Sequence, residues 1–324
     1  MKVGRFSPQE LERLFDAPRL ARHFPDIHLD SSKLSAFHWL VVEEEVEVGT
    51  PPASRALPFL EMDFKADLGA IEPYGGRFPE TVEAALFFLL LAPWEQWAEM
   101  AQVDWRGFRL PWIYTVSSDL CIAPDRPPDS SKLSWEPKHY NNEWGETIEI
   151  EEPSGLTLNS SANTGIRELT DAAWNALQTA RNSTFFTPPV EHFLVRAFLV
   201  KGIDEVLAHL TVIEAAFGLE SDHKPKLRSP GDKHNFGATK RVASRLSAAL
   251  NDAKAAKDYL DLFDVRSMYV HGRPGIQAIP TEHRVLARSL ARRAAAALVD
   301  LSHQEDSREV VMARLLNVGA GNLP

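Results

Sequence analysis

The chain has 324 residues, 44% of them apolar and 25% charged. That is ordinary for a folded globular protein and longer than one compact core usually takes, so two domains are expected. A single cysteine, Cys121, excludes an internal disulfide and any Cys-x-x-Cys motif, and a cytoplasmic, reducing setting is the expectation that follows. The net charge of −10 argues against a nucleic-acid partner only until it is divided: residues 1–160 carry 14 Lys and Arg against 27 Asp and Glu, while residues 161–324 carry 21 against 18.

In chain order, "MKVGRFSPQELERLF" has no apolar core of a leader, so no signal peptide is expected. "FHWLVVEEEVEV" (37–48) and "LPFLEMDFKADL" (57–68) alternate apolar and polar residues as half-buried strands do. "PETVEAALFFLLLAPWEQWAEMA" (79–101) opens with proline and an acidic turn and predicts a helix interrupted at Pro93. Its apolar run is too short to cross a bilayer, and no membrane partner is expected. "WIYTVSSDLCIAP" (112–124) is aromatic and β-branched, hence strand-like, and "APDRPPDSSK" (123–132) is a loop.

All eight tryptophans lie at or before Trp174, seven of them before residue 150. That shift in composition, with turn residues in "EEPSGLTLNSSANTG" and "STFFTPP", sets a boundary between 150 and 190. The tryptophans either line a ligand site or pack a core, the second being the commoner use.

Beyond the boundary the sequence reads as helices: 165–181, 190–220 with a break near Gly202 and an end at Gly218, 238–272, and 281–304 with Thr281 as N-cap. A long basic loop, roughly 219–237, interrupts them. The expected fold class is therefore α+β: an acidic, Trp-rich mixed α/β domain over 1–160, then an all-α bundle over 161–324. Basic residues cluster in the bundle at Lys224, Lys226, Arg228, Lys233, Lys240, Arg241 and Arg245, with Arg273 further on, and again in "RVLARSLARR" (284–293). They read either as a solvated face or as an RNA-binding surface.

"DVRSMYVHGRPG" (264–275) carries the most specific pattern. Arg266 and His271 lie in the last turns of a predicted helix; Gly272 suits the left-handed position after it, and Pro274 prevents continuation. A histidine at a helix C-terminus has its cationic form favoured by the dipole, and can act as acid or base. Arginine offers a planar fork of donors to a phosphate. The spacing alone carries little, since Arg22–His28 and Arg228–His234 match it too. Five steps along a helix turn a side chain about 140° past a full turn, so the pair converges only through distortion or a second copy of the chain. The alternative is structural: Arg266 pairs with Asp264 or Asp261, and His271 merely ends the helix.

"RSMYVHG", with "HLTVIEAAFG" (209–218) and "ATKRVASRL" (238–246) before it, closely resembles HEPN domains, and within them the Apea-like branch. The resemblance covers roughly 165–305. It implies a helical bundle acting as a metal-independent endoribonuclease, with Arg266 and His271 as the catalytic pair, no cofactor, and toxin or antiviral defence as the role. Ser267 follows the arginine where the family often has Asn or Asp. Metal-free RNA cleavage needs a base on the 2′-hydroxyl, an acid on the leaving oxygen and a cation at the phosphate. A two-fold homodimer supplies two histidines and two arginines, so a composite site and 2′,3′-cyclic phosphate ends are expected. Tyr269 either stacks on a base or packs. RNA, tRNA included, is the expected partner, with residues 1–160 sensing a trigger. A silent HEPN module binding RNA or nucleotide, and a protein-interaction adaptor, are the rival readings. No Walker loop, GxGxxG or GxSxG is present, and His209, His223 and His234 are too scattered to predict a metal site.

Overall fold

The computed structural model describes residues 2–37, 39–43, 45, 80–97, 114–120, 122–126, 135–153, 164–165, 167–187, 189–228, 232, 234–272 and 278–324. These are mostly helical, with small antiparallel strand pairs. They fall into two compact units: residues 1–75 with 108–157, and residues 76–107 with 158–324.

In the first unit, β1 (Lys2–Gly4) pairs antiparallel with β2 (Trp39–Val41), Val3 opposite Leu40. Three short helices, α1 (Pro8–Leu14), α2 (Ala17–His23) and α3 (Ser31–Leu34), lie between them. Ser7 and Glu10 form a capping box at the start of α1, which satisfies two otherwise orphaned donors. Leu11, Phe15, Leu20 and Leu34 make the core, and Trp39 meets Phe15 edge-on at 5.6 Å. The predicted strand over 37–48 is realised in part as β2, with 38, 44 and 46–48 outside the described residues, and all of that over 57–68 lies outside them.

The stretch predicted as a strand at 112–124 is irregular where described. Arg19 explains why: its guanidinium donates to the carbonyls of Ser117 at 2.8 Å, Asp119 at 2.9 Å and Ile122, taking acceptors that a strand partner would use. Within the first unit, β3 (Trp135–Asn141) and β4 (Thr147–Pro153) form a hairpin in which Tyr140 faces Ile148. Its turn is held by Asn142, whose side-chain oxygen accepts from the backbone N–H of Trp144 at 3.0 Å and of Glu146 at 2.8 Å.

The second unit takes its first helices from the N-terminal half of the chain. α4 (Glu80–Leu90) and α5 (Trp94–Trp97) flank Pro93 as the sequence predicts, but α4 packs on α7 (Val190–Leu199) rather than within an N-terminal domain ending at 160. The reason is apolar surface: Ala84 to Leu89 are all buried, and Phe88 meets Trp174 of α6 (Asp171–Arg181) at 5.5 Å. Glu95 closes the seam by accepting from Arg292.

α8 (Ile203–Phe217) is the central helix, packed by α7, α10 (Ala238–Ala249), α11 (Ala253–Val270) and α12 (Thr281–Ser302). The break between α7 and α8 falls at Gly202, whose φ of +67° a side chain would resist. The stretch 238–272 is two helices, separated where Asn251 takes a left-handed φ of +47° and Asp252 caps the next helix. Thr281 is the first helical residue, not the cap: Pro280 holds the cap position, with its fixed φ of −59°. The predicted basic loop holds a short helix, α9 (Glu220–His223), and α13 (Arg308–Gly319) closes the bundle against α10. Among the described residues no helix is long and apolar enough to cross a membrane.

Candidate functional site

α11 starts buried and ends exposed, and this gradient places the Arg–His motif. Ala255, Ala256, Tyr259 and Leu262 are buried, whereas Met268, Tyr269 and Val270 are 39%, 44% and 59% exposed. The helix stays regular through Val270, and His271 is its C-cap, its backbone N–H donating to the Ser267 carbonyl at 3.1 Å. Gly272 follows at φ +59°, the left-handed ending the sequence implies.

Arg266 and His271 therefore leave the helix in different directions. Arg266 turns toward α8 and pairs through Nη1 with Glu214. Its guanidinium carbon lies 5.6 Å from the centre of the Phe263 ring, a cation–π distance. His271 is exposed at the helix end. One chain does not bring the pair together, as the rotation along a regular helix requires. Ser267 is partly buried and Tyr269 is exposed.

The ion-pair partner is not the one the sequence proposed. Asp261 is held by Lys257 at 2.7 Å, and Asp264 is exposed. Glu214 was missed because it lies 52 residues away in sequence; its only signal is a lone carboxylate in the mostly apolar "HLTVIEAAFG". Burial pushes the Glu214 carboxyl above the usual range, and Arg266 opposes that shift. Tyr259, fully buried, has its phenol pushed well up, first by burial and then by the Glu214 charge. Its hydroxyl has no hydrogen-bond partner among the described residues.

The predicted basic surface is much reduced. Arg241 and Arg245 are each 1% exposed and do not face RNA. Arg245 grips Asp222 through two nitrogens at 2.5 and 2.8 Å, and donates to the carbonyls of Phe217 at 2.8 Å and Met312 at 3.2 Å. Arg241 donates to Asp232 at 2.6 Å and to the carbonyls of Phe236 at 3.0 Å and His234 at 2.6 Å. Part of the cause is the end of α8, whose last carbonyls need donors inside the protein: Arg245 closes that of Phe217, and the buried Arg308 closes those of Ala215 and Ala216 and of Gly218 beyond them. Arg228 is partly buried and donates to the carbonyls of Ser221 and Asp222. Lys224, Lys226 and Lys240 are exposed, and Lys224 pairs with Glu220 at 2.5 Å. Lys233 and Arg273 lie outside the described residues.

The basic run on α12 is likewise used internally. Arg284 and Arg288 share Glu205, Arg292 meets Glu95, and Arg293 reaches Asp252 at 2.9 Å. His209 is buried beside Arg288, and burial, reinforced by that arginine, pulls it down to about 3, so it stays neutral. His223 is exposed, and His234 stacks on Phe236 and bonds Asn317 at 2.9 Å. Trp94 is buried and donates its indole N–H to the Leu89 carbonyl at 2.7 Å, a core use, whereas Trp144 is 81% exposed.

Comparison with protein families, with curated proteins and with solved structures finds no match to this chain.

Proposed function

We propose that the protein is a metal-independent endoribonuclease of HEPN type, its second unit an HEPN-like bundle that dimerises through the end of α11. The observation that carries this reading is the character of that end. An arginine tethered on its inner side and an exposed histidine flank a turn of exposed apolar residues, Met268, Tyr269 and Val270. Large apolar side chains at a helix end beside charged groups suit a contact with another chain. A second copy related by two-fold symmetry supplies the missing half: His271 as base and as acid, Arg266 for charge at the phosphorus oxygens. Of the basic residues singled out in the sequence, Lys224, paired with Glu220, and Lys226 and Lys240 are exposed and can attract an RNA backbone. Cleavage of tRNA or other RNA in defence or as a toxin, in the cytoplasm and under control of the acidic first unit, is the role this chemistry serves.

The rival reading is a silent module that binds RNA or nucleotide, or an adaptor. The burial of Arg241 and Arg245 favours the adaptor, because a smaller cationic surface weakens RNA binding.

Incubating the full chain with total RNA and tRNA in EDTA tests the proposal, with His271→Ala beside it and product ends mapped. Cleavage by the wild type alone, leaving 2′,3′-cyclic phosphate, is the expected result. Equal cleavage by both proteins discards the site.

A further inference from the structure

We propose that Glu214 is the positioning residue for Arg266, holding the guanidinium from the core side so that its remaining donors meet the RNA phosphate. The inference rests on the nuclease reading above and adds a residue that the Arg–His motif does not contain.

Two contacts define the arrangement. Glu214, on the last turn of α8, accepts from Arg266 Nη1 across the packing of α8 on α11. Phe263, three residues earlier on α11, sets its ring 5.6 Å from the guanidinium carbon. A carboxylate at one edge and a ring nearby restrict a planar group far more than one contact does. Tyr259 is fully buried on the same helix, and its hydroxyl donates to no described acceptor, so it does not compete for the carboxylate.

The clamp leaves Arg266 usable. Its side chain is 28% exposed, and one carboxylate oxygen occupies few of its five donors. Glu214 itself is 30% exposed and sits on the central helix of the unit, most of whose residues are buried, so the tether is anchored in the core. Without it Arg266 keeps its charge and loses its direction. A misdirected charge is a fault in the transition state more than in binding.

The test uses the full chain as wild type, Glu214→Gln, Glu214→Ala, Arg266→Gln and the double variant Arg266→Gln/Glu214→Ala. Each is assayed for cleavage of a short RNA in EDTA and for binding of its uncleavable 2′-O-methyl counterpart. Glu214→Ala is expected to lower kcat about 100-fold with KM raised less than tenfold. Glu214→Gln keeps an oxygen that accepts from the guanidinium, and is expected to hold kcat within about tenfold of wild type. The double variant is expected to match Arg266→Gln, because nothing remains to position. Wild-type kcat in Glu214→Ala overturns the proposal, as does an equal loss in Glu214→Ala and Glu214→Gln.

A wild type that binds without cleaving removes the nuclease reading alone. Binding then decides: weakening by Arg266→Gln and by Glu214→Ala, without further weakening in the double variant, keeps the positioning role. Additive losses reject it. A wild type that does not bind the 2′-O-methyl strand, or an Arg266→Gln variant that binds it unchanged, overturns the proposal as well.

Discussion

Two arginines of the helical unit, Arg245 and Arg266, each hold a carboxylate from a neighbouring segment, yet their surroundings differ completely. Arg245 is 1% exposed, and the pair it forms with Asp222 is buried on both sides. Its other donors close the carbonyls of Phe217 and Met312. Arg266 has the same type of partner but ends in a region where the next residues face solvent. One guanidinium is saturated by the protein; the other is oriented by it and left with spare donors. The lesson is that in this bundle a basic residue is free to meet a ligand only as far as the fold leaves its donors unused, and charge clusters in the sequence do not report that.

The comparison breaks most sharply at Arg245. Arg245→Ala removes the two-nitrogen contact on the buried Asp222 carboxylate, leaving Arg241 at 3.8 Å as its counter-charge, and frees the Phe217 carbonyl; a loss of about 3 kcal/mol in denaturant-induced unfolding is expected. Arg266→Ala should cost less, about 1–3 kcal/mol, because only Glu214 is left partly buried without its counter-charge. Adding Glu214→Gln to that variant should recover much of the loss; a double variant no more stable than Arg266→Ala would show that the pair is not the source. It also follows that lost activity in Arg266→Ala mixes chemistry with stability.

His271→Ala is the cleaner probe. Its side chain is exposed, so stability should stay within about 0.5 kcal/mol of wild type while cleavage disappears.

The smallest effect is in pH. The Glu214 carboxyl is raised in the folded protein, mainly by burial. Between its ordinary value and the raised one, the folded state binds more proton than the unfolded state, so this group's contribution to stability falls as pH rises through that window. Glu214→Gln should lack that fall, and unfolding midpoints measured against pH for the two proteins should converge toward acid.

The helices of the second unit were legible because their signals are local. Gly202 and Gly218 mark real breaks, Pro93 divides α4 from α5, and Gly272 ends α11 as predicted. What escaped was long-range. The strand-like composition of 112–124 lost to three carbonyl contacts from Arg19, nearly a hundred residues away. The motif residues could be read, but Glu214 could not, because an ion pair across two helices leaves no periodic trace. The capping box at Ser7 and the asparagine turn at Asn251 were in the sequence, and local rules identify both.

The place of α4 and α5 in the second unit has a topological consequence. Phe88 against Trp174 and Glu95 against Arg292 tie residues 80–97 to helices that begin more than seventy residues later. Residues 108–157 are thereby an insertion between two parts of one folded body. A single cut within that insertion divides the polypeptide without dividing the body, and the two pieces remain held by their own core. A fragment that starts at 160, by contrast, begins without two of its helices: it exposes the face that buried Phe87 and Phe88, and it leaves Arg292 without Glu95. In this chain the order of residues and the order of assembly are different things.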